Sequence, residues 1–106
     1  MCYSKFLSLL QCGLTADMKA ELRVLYPNKR MCKQVQQLMQ AVLDGDVKQL
    51  IALTDAVRNT ADFGRKFNIP QRTLSSWVLK QRTAPEYVVQ LLGYAVLSEL
   101  EERYAK

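Results

Sequence analysis

A chain of 106 residues, 49% hydrophobic and 24% charged, is enough for one compact domain and too short for two well-buried cores. It contains no histidine, which removes the commonest general acid/base and the usual partner of a Ser or Cys nucleophile, so an enzyme is not expected. Its longest apolar runs, Phe6 to Leu10 and Tyr87 to Gly93, fall well short of the roughly 20 residues that span a bilayer.

Lys5 before a short apolar run looks a little like a signal peptide. Ser8 and Gln11 interrupt that run and no small-residue cleavage site follows, so a cytoplasmic location and no membrane partner are expected. A first helix covers residues 3 to 12 and stops near Gly13. Thr15 and Asp17 start a second, "ADMKAELRVLY", which Pro27 and Asn28 end. A third runs from Lys29 to Asp44 with Met31, Val35, Leu38, Met39 and Val42 on one stripe, and Gly45 closes it. Asp46 caps a fourth, on which Val47, Leu50, Ile51, Thr54 and Val57 share a face. Thr60 opens "TADFGRKF" and Asn68 ends it. Pro70 and Gln71 then begin a helix that stops near Lys80, and a last helix runs from Glu86 to about Tyr104.

With no strand pattern and no repeat, the sequence predicts an all-α fold, a compact helical bundle. Residues 1–45 read as a helical amino-terminal extension and residues 46–106 as the functional unit. Cys2, Cys12 and Cys32 are odd in number, lack C-x-x-C spacing and have no histidine beside them. They read as reduced, mostly packed thiols, with no metal or cofactor expected.

Charge is unevenly spread. Residues 59 to 85 carry Arg65, Lys66, Arg72, Lys80 and Arg82 against Asp62 alone, whereas residues 86 to 106 are net acidic. The basic stretch contains two short helical segments joined by "FNIP". Phe63, Phe67, Leu74 and Trp77 are spaced to pack inward, Ile69 plugs the turn, Gly64 suits a close crossing, and Asn68 tolerates a left-handed backbone.

In these features the chain resembles lambda-repressor-like helix-turn-helix domains, the Xre/Cro class of bacterial and phage regulators, most strongly over Thr60 to Leu92 and weakly back to Asp46. The run "TLSSW" followed by "QRTAPEYVVQLL" looks like a subgroup with a Trp-containing recognition helix ahead of a basic, Pro-containing loop. Many members have an acidic residue after the Trp and a Gly two positions further on, where this chain has Val78 and Lys80. The resemblance implies a sequence-specific regulator of transcription, a repressor in the first instance, that binds double-stranded DNA. The helix starting near Gln71 would enter the major groove. Gln71, Arg72, Ser75 and Ser76 would then contact bases, while Thr60, Thr73, Lys80, Arg82 and Thr83 would contact phosphates.

The last helix is apolar on more than one side: Val88, Val89, Leu91, Leu92, Val96, Leu97, Leu100 and Tyr104 do not all fit one small core. Its second stripe packs either on a second copy, giving a homodimer on a palindromic operator, or on the amino-terminal helices. An alternative function is a protein-interaction module whose partner binds residues 1–45. Examples are an antitoxin or a phage-encoded inhibitor of a host defence complex.

Overall fold

Local chemistry fixes many of the helix ends in the computed structural model, which describes residues 1–54 and 60–105. Helix α1 (Tyr3–Cys12) ends at Gly13, whose φ of 69° needs a glycine. Helix α2 (Ala16–Leu25) begins on Thr15, whose hydroxyl oxygen accepts the Met18 N–H at 3.2 Å. Helix α3 (Lys29–Asp44) begins on Asn28, whose Oδ1 accepts the Met31 N–H at 3.0 Å. It ends at Gly45, φ 67°, where the Gly45 and Asp46 N–H groups reach back to the carbonyls of Val42 and Ala41. Asp46 then caps α4 (Val47–Ala52) by accepting the Gln49 N–H at 3.1 Å. Helices α5 (Thr60–Lys66), α6 (Gln71–Val78) and α7 (Glu86–Tyr104) follow. The described residues form seven helices and no strand, an all-α fold.

Helix α4 is shorter than its apolar spacing suggests. It stops at Ala52, and the buried Thr54 donates its hydroxyl to the Leu50 carbonyl at 3.1 Å, tying off the end of the helix. Val57, expected on the same face, lies outside the described residues.

The centre of the molecule is the contact of α3 with α7. Helices α2 and α4 also pack on α3, α1 packs on α7, and α6 is held by α4 and α5. The stripe predicted on α3 (Met31, Val35, Leu38, Met39, Val42) is buried in one core that also contains Phe6, Met18, Leu22, Leu50, Phe63, Leu74, Leu97 and Leu100. That core is continuous across Gly45. The Phe6 ring lies 5.6 Å from the Tyr94 ring of α7, the Tyr94 hydroxyl donates to the Met1 carbonyl at 2.9 Å, and the Met1 ammonium donates to the Glu101 carboxylate.

Helix α7 disposes of its two apolar sides mostly within the chain. Val89, Leu92, Val96, Leu97 and Leu100 are all buried because α1, α3 and α4 surround them. Val88 and Tyr104 are half-buried, and Leu91 is 52% exposed beside Tyr87 at 66%. The expectation of mostly packed cysteines is corrected. Cys32 is buried, but Cys2 precedes α1 and Cys12 ends it on the solvent side, and both are exposed.

Tyr26 links the two ends of the fold. Its hydroxyl donates to Glu101 Oε1 at 3.1 Å, and burial, followed by the charge and hydrogen bond of Glu101, pushes the phenol above its ordinary value of about 10. The unfolded chain therefore loses this proton at a lower pH than the folded one. The stabilisation is fully present below about pH 10 and declines as pH rises beyond it. Urea denaturation is expected to show a stability that falls with pH above about 10, with a shallower fall in Tyr26→Phe, which should also lose about 1 kcal/mol at neutral pH. Equal slopes for the two proteins would rule Tyr26 out as the source.

Candidate nucleic-acid interface

Helices α5 and α6 are joined by the four residues Phe67 to Pro70. Helix α5 ends when Asn68 takes a left-handed conformation, φ 55°, with its N–H bonded to the Arg65 carbonyl and the Ile69 N–H bonded to the Gly64 carbonyl at 2.8 Å. This six-to-one and five-to-two pairing reverses the chain in one step. A Cβ on Gly64 would stand 3.0 Å from the Ile69 carbonyl oxygen and 3.3 Å from Leu74 Cδ2, so any side chain there would push the turn carbonyl and Leu74 back by a few tenths of an ångström. Phe63 and Leu74 are fully buried, and Phe67, Ile69 and Trp77 are half-buried against the same core, so α5 and α6 pack as one unit. Phe63 and Phe67 meet with ring centroids 4.7 Å apart.

Helix α6 ends as α5 does. Lys80 has φ 60°, its N–H bonds to the Trp77 carbonyl at 3.2 Å, and the Gln81 N–H bonds to the Ser76 carbonyl at 2.9 Å. Lys80 thus occupies the position at which this capping motif favours glycine, and a lysine there does a glycine's conformational work at a cost. Lys80→Gly is expected to stabilise the chain by about 1 kcal/mol, read as a higher denaturant midpoint at unchanged slope. A midpoint that falls would mean that the lysine side chain holds the loop.

Gln71 and Arg72 are exposed on the first turn of α6, Thr73, Ser75 and Ser76 are half-buried, and Thr60 is half-buried at the start of α5. Two of the expected base-reading hydroxyls have internal partners. Ser75 Oγ accepts from Gln71 Nε2 at 3.2 Å, and Ser76 Oγ donates to the Arg72 carbonyl at 3.0 Å. Pro70 offers no side-chain cap, so the N–H groups of Gln71, Arg72 and Thr73 open the helix without one.

The cations divide into two groups. Arg65 pairs with Asp62 on α5, and Lys66 pairs with Glu99 of α7. Arg72, Lys80 and Arg82 have no ion pair among the described residues, and all three are exposed. Lys80, Arg82 and Thr83 line a groove of about 390 Å³ together with Trp77, Asp44 and Asp46. Two carboxylates from the α3–α4 junction therefore face the basic end of α6, whereas among the described residues no acid lines the hollow beside its start, formed by Ala61, Gly64, Arg65, Asn68, Ile69, Pro70 and Gln71.

The Asp62–Arg65 spacing of three was readable as a helical pair. The Lys66–Glu99 pair and the acidic wall opposite Lys80 were not, because they join elements far apart in sequence. No family model, no curated protein and no solved structure matches this chain.

Proposed function

We propose that this chain is a non-enzymatic, sequence-specific DNA-binding regulator of a bacterium, phage or mobile element, a repressor in the first instance, that lays α6 in the major groove. The observation that carries this reading is the first turn of α6. Gln71 and Arg72 are exposed there, on a helix start with no side-chain cap and, among the described residues, no acid lining the adjacent hollow. Gln reads adenine and Arg reads guanine through paired hydrogen bonds, and uncapped helical N–H groups donate to a phosphate. Arg82, Thr83 and Lys80 supply further phosphate contacts from the loop after α6, weakened by Asp44 and Asp46.

Eight residues of α6 rise only about 12 Å, enough for a few base pairs, so specificity calls for a second copy on a second half-site. Tyr87 and Leu91, exposed and one turn apart on α7, are the apolar contact proposed between copies. The test is selection from random duplexes at low salt, with sedimentation of the bound complex. Enrichment of a two-fold related motif bound by two copies is expected, and a pool that stays random would overturn the proposal.

A second reading, recognition of a protein through residues 1–45 as in an antitoxin or an inhibitor of a host defence complex, draws on another surface, the basic elbow between α2 and α3.

A further inference from the structure

Between Glu21 and Asp44 the chain has no acidic residue and four basic ones, Arg23, Lys29, Arg30 and Lys33. All four are exposed, and none has an ion pair among the described residues, whereas nearby Lys5 is paired with Glu21. Three of them, Arg23, Lys29 and Lys33, line a pocket of about 360 Å³ at the α2–α3 elbow, together with Tyr26, Pro27, Cys32 and Gln36. The walls of this pocket are fixed. The Tyr26 hydroxyl is held by Glu101, and Gln36 Nε2 donates to Cys32 Sγ at 3.6 Å. Val24, 78% exposed, and Leu25, 42% exposed, lie in the last turn of α2, outside the pocket lining.

A cationic rim around an apolar recess selects its ligand. Phosphates would satisfy the rim and leave the recess in water. An apolar side chain flanked by carboxylates would satisfy both, and the volume suits one or two side chains. We propose that the α2–α3 elbow is a docking site for an acidic peptide segment of a partner protein. One apolar side chain of the segment would seat against Tyr26, Pro27 and Cys32, with carboxylates on Arg23, Lys29 and Lys33. This site is independent of DNA reading by α6.

The test is selection of the full chain against a randomised displayed peptide library with duplex DNA present as competitor, followed by fluorescence anisotropy of the enriched peptides. Enriched sequences are expected to carry Asp or Glu around a Leu, Ile or Phe. Replacing that anchor by Ala, or using the Lys29→Glu/Lys33→Glu protein, is expected to weaken binding about tenfold or more, while Arg72→Ala leaves it unchanged. Circular dichroism checks that the double variant is folded, and Arg23→Glu provides a second disruption on a different helix. No acidic consensus, peptides that bind the charge-reversed proteins as tightly as the parent, or binding indifferent to the anchor would each overturn the proposal.

Discussion

Gly93→Leu is expected to remove more than about 3 kcal/mol of stability, enough to unfold much of the chain at ordinary temperature. Gly93 is buried in the middle of α7, where helix propensity alone would favour alanine by about 1 kcal/mol. Packing explains the glycine instead. A Cβ there would stand 2.3 Å from Val42 Cγ2 and 3.4 Å from Phe6 Cζ, so α1, α3 and α7 meet at a point with no room for one more carbon. Gly93→Ala already forces Val42, a stiff β-branched side chain, to move, and leucine adds three more carbons that also press on the Phe6 ring. The check is thermal and urea denaturation, with Val42→Ala added to Gly93→Ala. If the clash with Val42 is the cause, the double variant should be more stable than the sum of the two single changes predicts. Strict additivity would place the cause elsewhere.

That example marks how far the sequence could be read. Helix boundaries were legible because caps are local: Thr15, Asp46 and Gly45 each act within a few residues of themselves and each makes the expected backbone contact, while Asn28, read only as the end of α2, also caps α3. The turn at Asn68 was legible for the same reason. The need for glycine at position 93 was not, since nothing in "LLGYAVL" announces that Val42, fifty-one positions away, lies over it. The same distance hid the Glu99 partner of Lys66 and the two aspartates opposite Lys80 and Arg82. Within the candidate site, the exposed positions Gln71 and Arg72 followed from helical spacing. The internal bonds of Ser75 and Ser76 depend on rotamers that spacing does not fix. The left-handed Lys80 shows the reverse: a departure from a familiar pattern in the sequence left the backbone motif intact.

Arg72→Ala separates reading DNA from holding the fold. Arg72 is exposed and has no ion pair among the described residues. Only its carbonyl takes part in an internal bond, accepting from Ser76, and alanine keeps that carbonyl and favours the helix. Stability should therefore change by no more than about 0.5 kcal/mol. If Arg72 forks onto a guanine edge, affinity for the selected duplex should fall by about 1 to 3 kcal/mol, with preference relaxed at one base position and little change on random duplex. The measurement is paired titrations of selected and random duplexes at several salt concentrations. A phosphate contact behaves differently, weakening both duplexes alike and lowering the salt slope by about 0.9. Arg72→Lys decides between the two, because lysine keeps the charge and loses the planar fork. It should restore a phosphate contact and fail to restore base discrimination. Arg65→Ala is the matched control from the same basic stretch: its guanidinium is already engaged by Asp62, so its removal should leave base preference intact.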